Sequence, residues 1–217
     1  MPMEQIPALL DPLIDEKADY SKGNRFLMPD DGLDDMPWSR MLPNAMISFM
    51  TKMASGYYKI FDVVDGFTAI TRRAIDLVDW DSAWKGYGYP MDFLVRLNAY
   101  GLRVVDVPRR AIYLEGERQS QIKGLRYALK VTPMLIRDFF WRILFRYLVR
   151  DFHPLLFFYL FGLLFLPIGV VFGGYLVYQQ VEGVGVSGPR AVVCALMVLM
   201  GLQFLLFAML YDMEESK

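Results

Sequence analysis

The chain has 217 residues, 55% of them hydrophobic, with 23 Lys and Arg against 24 Asp and Glu and a formal net charge of −1. That length allows one domain of ordinary size, or a smaller domain with membrane segments. A single cysteine, Cys194, and a single histidine, His153, exclude a disulfide framework, a cysteine-based metal site, His-rich zinc chemistry and Cys/His nucleophilic catalysis, which leaves carboxylates, Arg/Lys and backbone.

The opening stretch, MPMEQIPALLDPLIDEKADYSKGNRF, shows no basic leader, apolar core and cleavage site, so no signal peptide is expected. Ile6, Leu9, Leu10, Leu13 and Ile14 predict a helix. A short strand at Ala18–Ser21 and a polar loop, Lys22-Gly23-Asn24-Arg25, follow it. The whole reads as the middle of an α/β unit whose preceding strand is absent. The next stretch, FLMPDDGLDDMPWSR, is rich in Gly, Pro and Asp and is expected to be a solvated, mobile loop, a candidate lid. Its aspartates lack the regular ligand positions and closing Glu of a calcium loop.

Asn44 to Ile60 predicts a helix with Ile47, Met50 and Ala54 on one side. Gly66–Thr71 predicts a strand, Arg72–Val78 a short helix, and Pro90–Tyr100 a helix closing at Gly101. Leu102–Val107 predicts a strand ended by Pro108, with another extended piece at Ala111–Leu114. Alternating strands and helices imply an α/β fold, with too few strands for a free-standing doubly wound domain.

The segment after residue 117 is basic, with Arg118, Lys123, Arg126, Lys130, Arg137, Arg142, Arg146 and Arg150. Lys123, Arg126, Lys130 and Arg137 share one helical face, and Arg142, Arg146 and Arg150 share another. Pro133 lies between the groups, so two amphipathic helices with a bend are expected. Leu125, Leu129, Phe139, Phe140, Trp141 and Leu144 would face lipid. The plain alternative is a solvated basic face on an ordinary helix.

Two uncharged runs follow, Pro154–Tyr178 and Ala191–Tyr211, each long enough to cross a hydrocarbon core of about 30 Å. They predict a transmembrane hairpin. The basic residues precede the first run, and the connecting loop carries only Arg190. The N-terminal domain and the C-terminal DMEESK are therefore expected on the cytoplasmic side, with the hairpin in the inner (cytoplasmic) membrane. Gly169-Val-Val-Phe-Gly173 is a GxxxG pattern that could support self-association, and Gln203 is expected to bond across to the other span.

Several of these motifs occur in a telling order: GNRF after a strand, then WSR, Asn44, DVVDGFTAITRRAI, GYGYPMDFLVRLNAYGLRVVDVP and YLEGERQSQIK. Together they resemble the later half of a family-2 glycosyltransferase, in the branch of dolichyl- and polyprenyl-phosphate sugar transferases. The resemblance implies an organisation of three parts. Residues 1–117 would be the C-terminal part of a GT-A α/β catalytic domain, 118–152 amphipathic interfacial helices, and 153–217 a transmembrane hairpin with a short tail. In that branch a segment like Pro2-Met3-Glu4-Gln5-Ile6-Pro7 directly follows an Asp-x-Asp-x-Gln metal motif. The nucleotide-binding half, and with it the carboxylates for Mg²⁺ or Mn²⁺, is therefore expected to be missing, and YDMEESK resembles an internal stretch, so the end is expected to be clipped as well.

The same resemblance implies site residues. A polyprenyl phosphate is already ionised at pH 7 and needs positive charge more than a base, and a guanidinium binds phosphate as a bidentate fork. Arg25 and Arg40 match basic positions near the acceptor phosphate, and Lys22, Arg118 and Lys123 could meet the same headgroup. Asp92 matches the acidic pair that carries the candidate general base, although Met91 stands where the family has an acid. Asp62, Asp65 and Gly66 resemble a loop on the acceptor side, with Asp65 where a small hydroxyl residue is usual. The implied function is transfer of a sugar from a nucleotide-sugar to a polyprenyl-phosphate lipid. The implied partners are that lipid, the membrane, a donor if the missing half is supplied, and a second copy of the chain, with no nucleic acid. The rivals are a non-catalytic membrane remnant or subunit that keeps the acceptor-side scaffold, and a lipid-surface scaffold unconnected with sugar transfer.

Overall fold

A computed structural model describes residues 3–27, 38–86, 88–109, 124–150 and 152–215, excepting the side chains of residue 26, residues 38–44 and residues 124–126. Within these residues the chain is mostly helical, with one three-stranded sheet and two long apolar C-terminal helices. It divides into two compact units, one reaching to Arg146 and the other Tyr147–Glu215.

In the first unit, helix α1 (Ile6–Ile14) starts with a proline in its first turn and stops at Asp15. Beyond it, Glu16 turns into the left-handed region at φ 56°. Strand β1 (Tyr20–Asn24) is the middle of the sheet, pairing antiparallel with β2 (Thr68–Ile70) and parallel with β3 (Val104–Pro108). The register sets Lys22 opposite Asp106 and Asn24 opposite Pro108. The strand therefore runs three residues beyond the Ala18–Ser21 prediction, and Lys22-Gly23-Asn24 is strand rather than loop. Every residue of β1 is buried, polar ones included. Ser21 donates its hydroxyl to the Leu9 carbonyl at 2.6 Å, which ties α1 to the sheet, and Leu9, Phe67 and Val107 form a small apolar cluster there.

Four helices contribute to the larger core. Helix α2 (Trp38–Ser55) begins earlier and ends earlier than predicted. Helix α3 (Arg72–Leu77) is capped by Thr71, whose hydroxyl accepts from the Ala74 amide. Helix α4 (Tyr89–Ala99) begins after Gly88 at φ 115° and closes at Gly101, as expected, where Leu102 donates its amide to the Leu97 carbonyl. Helix α5 (Gly124–Leu144) is continuous through Pro133 and is followed by a π-helical turn, Phe145–Arg150. The predicted break at Pro133 does not occur. Ile47, Ala54, Met91, Leu94, Leu97, Val131 and Leu135 share the core between these helices.

Two arginines of the basic segment face inward. Arg142 is fully buried and donates to the Ala54 and Met53 carbonyls at 2.7 and 3.3 Å and to the Asn98 side chain at 3.2 Å. Arg146 donates to the Asn98 carbonyl at 3.0 Å. These guanidinium groups occupy the carbonyl ends of α2 and α4, where orphan acceptors and the helix dipole favour a cation. Gly56 sits at φ 75°, and a Cβ there would lie 2.6 Å from Arg142 Nη1, so glycine is required twice over. The apolar face of α5 also differs from the expectation. Phe139 and Trp141 pack on the core, while Leu129, Ile136, Phe140 and Leu144 are exposed.

The second unit is the hairpin of α6 (Leu155–Val181) and α7 (Gly188–Glu215). Both helices are long and apolar enough to cross a membrane, and only 22% and 11% of their most apolar windows are buried, unlike a soluble core helix. Glycines let the helices meet closely. A Cβ on Gly201 would lie 2.5 Å from the Leu166 backbone nitrogen, and one on Gly169 would lie 3.0 Å from that of Val198. Gly169 and Gly173 thus pack on α7 (Val198 and Cys194), and Gln203 is exposed rather than bonded across the hairpin. Asp212, expected in a polar tail, is buried in α7, and accepts from the hydroxyls of Tyr147 at 2.5 Å and Tyr159 at 3.1 Å. Gly201→Ala is expected to lower the thermal midpoint of the detergent-solubilised chain by the equivalent of about 1–3 kcal/mol of overpacking. Gly174→Ala, where nothing lies within 4 Å, should leave it unchanged, and equal midpoints for the two variants would contradict the packing.

Candidate acceptor-side site

The C-terminal ends of β1 and β3 lie side by side because the two strands are parallel, and ligand sites in α/β sheets form at such ends. Lys22 organises the loop beside them. Its side chain is 1% exposed. The ammonium donates to the carbonyls of Phe61 at 2.6 Å and Asp62 at 2.9 Å and pairs with Asp106 at 3.3 Å. The other Asp106 oxygen accepts from the Phe61 amide and from the Asn24 side chain, both at 2.7 Å. Burial pushes the Asp106 carboxyl up, and Lys22 beside it pulls it back. A cross-strand pair of the sheet thus grips both the amide and the carbonyls of the residues that open the Asp62–Asp65 turn.

That turn is tight, with the Asp65 amide donating to the Asp62 carbonyl at 3.0 Å, and Asp62 itself is left-handed at φ 42°. Asp62 receives Arg25 as a two-pronged pair, Nε to Oδ2 at 2.6 Å and Nη2 to Oδ1 at 2.7 Å. The carboxylate is 1% exposed and the guanidinium side chain 33%. Asp65 accepts from the Phe67 amide at 2.9 Å and from Arg109 Nη1 at 2.5 Å. Gly66 is the next residue, and a Cβ there would approach the Tyr89 hydroxyl to 3.3 Å. Lys22, Arg25, Asp62, Asp65 and Gly66 are therefore brought together in one place. Arg109 joins them and was not singled out from the sequence. Its position one residue past a proline-ended strand, parallel to the strand that precedes Arg25, was the available signal.

Asp92 belongs to a different network. It is 1% exposed, and its Oδ2 accepts from Arg96 Nε at 2.8 Å and from the Trp84 amide at 2.9 Å. Arg96 also reaches the Ser82 hydroxyl and carbonyl and the Asp79 carbonyl, so the pair holds the loop before α4. From α5, Arg137 donates to Asp138 Oδ1 at 2.7 Å, while Asp138 Oδ2 is buried without a hydrogen-bond partner. Burial, opposed by Arg137 and reinforced by Asp92, pushes Asp138 up to about 6. Arg40 lies in α2 with its side chain outside the description, and Arg118, Lys123, the Asp30–Asp35 run and Ala111–Leu114 lie outside the described residues.

Among the described residues no group of three or more His, Cys, Asp or Glu could hold a metal ion. Asp62 and Asp65 each face an arginine instead. The residues seen here do not fit the Mg²⁺ or Mn²⁺ that the resemblance implies.

No family model matches the chain. Among curated proteins, the UDP-N-acetylglucosamine–dolichyl-phosphate N-acetylglucosaminyltransferase of Methanococcus voltae is 26% identical over 112 residues, 52% of this chain and 44% of that protein. An uncharacterized protein of Methanocaldococcus jannaschii is 25% identical over 112 residues, 52% of this chain and 45% of its own length. The chain spans under half the length of the curated relatives it matches. The relationship is distant and glycosyltransferase-like.

The buried Asp138 carboxyl makes a pH prediction. A carboxyl raised above its usual value of about 4 holds its proton more tightly in the folded state. Stability from this group is then full at low pH and falls as pH rises through about 6. The melting midpoint of Asp138→Asn should therefore gain on the wild type as pH rises from about 4 to 6. Parallel profiles would contradict the raised Asp138 carboxyl.

Proposed function

We propose that this chain serves a membrane-bound glycosyltransferase reaction, in which a sugar moves from a nucleotide-sugar to a polyprenyl phosphate, and that its own residues hold the acceptor. The observation that supports this most is the 112-residue similarity to a dolichyl-phosphate sugar transferase. The Arg25 geometry and the two apolar helices are consistent with it.

The acceptor phosphate needs orientation and charge stabilisation, since its oxygen is already a nucleophile at neutral pH. Arg25 suits that task. Asp62 fixes the plane of its guanidinium, while a third of the side chain stays open to solvent. A guanidinium held in this way loses less side-chain freedom when a phosphate arrives. Lys22 acts one step back, since its ammonium holds the Phe61 and Asp62 carbonyls and so positions the carboxylate that positions Arg25. No proton has to leave an ionised acceptor, so Asp92 has a positioning role through Arg96 and the loop before α4. Arg40, Arg118 and Lys123 remain candidate cations for the same headgroup. Divalent-metal handling of the donor diphosphate is part of the family's chemistry, and no step here is assigned to it. The distribution of Lys and Arg supports a cytoplasmic placement of the N-terminal domain in the inner membrane.

The test is binding of a polyprenyl phosphate to the chain in lipid nanodiscs. Arg25→Gln with Asp62→Asn, which removes both charges of the buried pair, is expected to weaken binding about tenfold or more, the scale of a charge-assisted hydrogen bond, with the fold retained by circular dichroism. No binding by the wild type, or equal binding by wild type and variant, would overturn the assignment.

A further inference from the structure

Arg25 and Arg109 are neighbours by construction. They follow Asn24 and Pro108, the last register pair of β1 and β3, and the Arg109 amide donates to the Asn24 carbonyl at 3.0 Å. Each guanidinium is tied to one end of the same turn, Arg25 to Asp62 and Arg109 to Asp65. The charges are layered. The two carboxylates are 1% and 2% exposed, whereas the two arginine side chains are 33% and 22% exposed. A formally neutral cluster therefore presents cations outward and anions inward.

Two further observations concern Arg109 alone. Its Nε is buried without a hydrogen-bond partner, and so is Asp65 Oδ2. Arg25 grips its carboxylate with two bonds, whereas one bond is seen between Arg109 and Asp65. A buried pair left half-satisfied calls for an explanation. Gly23 supplies the passage for this side chain, because a Cβ there would lie 2.9 Å from Arg109 Cδ and 3.1 Å from Asp65 Oδ2. The glycine of the GNRF motif thus makes room for an arginine eighty-six positions away, at 109.

We propose that Arg109 is a second anion-binding residue, forming with Arg25 a two-guanidinium cradle at the C-terminal edge of β1 and β3 for a phosphate or diphosphate group. The proposal rests on the acceptor reading of Arg25 and adds a partner to it. A tetrahedral phosphate offers several oxygens, and two guanidinium groups on one strand edge can take different oxygens of the same group, which one cation cannot do. The group can arrive on a prenyl lipid or on a soluble diphosphate.

The experiment uses the whole chain in nanodiscs and two probes: polyprenyl phosphate in the disc, and inorganic pyrophosphate added to discs without it. Arg109→Gln alone would strand buried Asp65, so the main variant is Arg109→Gln with Asp65→Asn, which removes both charges. Gly23→Ala, which displaces the Arg109 stem while leaving every charge in place, is the second. Both are expected to keep their melting behaviour within a few degrees and to lose about tenfold or more in affinity for at least one probe. Loss for the lipid assigns the cradle to the headgroup, and loss for pyrophosphate assigns it to a soluble diphosphate. Unchanged affinity for both probes in both variants overturns the proposal, as does a wild type that binds neither. If Arg25→Gln with Asp62→Asn weakens lipid binding while the Arg109 variants do not, the acceptor reading stands and the cradle falls. If pyrophosphate binds through Arg109 but no polyprenyl phosphate binds at all, the cradle stands and the acceptor reading falls.

Discussion

One buried ammonium sets the geometry on which the candidate site depends. Lys22 lies in the central strand with its side chain out of water, a placement that costs several kcal/mol unless the charge is paired and hydrogen-bonded. Asp106, directly opposite in the parallel ladder, supplies the countercharge, and two backbone carbonyls supply the rest. Those carbonyls belong to Phe61 and Asp62, so satisfying the lysine also fixes the start of the Asp62–Asp65 turn. Two surface arginines then inherit their orientation from two carboxylates of that turn. Replacing Lys22 by a neutral residue would leave Asp106 buried without its countercharge and release the turn.

The helical layer follows a related logic. Arg142 and Arg146 close the carbonyl ends of α2 and α4, so α5 is held by polar contacts as well as by Val131, Met134 and Leu135. These arginines carry positive charge in the sequence but place it in the interior, where helix termini supply partial negative charge. In the hairpin, close approach at Gly162, Gly169 and Gly201 does the same work with dispersion, the packing that helices long and apolar enough to cross a membrane would need, since lipid offers no hydrophobic gain for their association. The carboxylate of Asp212 is satisfied by two phenols there.

The sequence made the apolar elements legible and hid the polar ones. Helix α4 and its closure at Gly101, the strand around Val104–Val107 and both hairpin helices follow from periodicity, glycine and length. Strand β1 was half missed because Ser21-Lys22-Gly23-Asn24 looks like a solvated turn. Its burial depends on Asp106, 84 positions from Lys22 and 82 from Asn24, information that no local pattern carries. The same holds for Arg142, which a helical wheel assigns to a basic face and tertiary structure assigns to Ala54 and Asn98. Pro133 was read as a break because proline removes a helical hydrogen bond. Packing of α5 on both sides of it outweighs that loss. Of the charged residues gathered at the ends of β1 and β3, the sequence pointed to Lys22, Arg25, Asp62 and Asp65 but not to Arg109, and to none of their pairings. Arg25 with Asp62 and Arg109 with Asp65 are tertiary facts, and so is the separate burial of Asp92 with Arg96.

The most direct measurement is hydrogen–deuterium exchange of the chain in detergent, comparing the wild type with Lys22→Met. If the buried ammonium organises the site, the amides of Phe61, Asp65 and Phe67 should be protected in the wild type and exchange rapidly in the variant, while the amides of α6 and α7 stay protected. Equal protection of those three amides in the two proteins would contradict the central role given to Lys22.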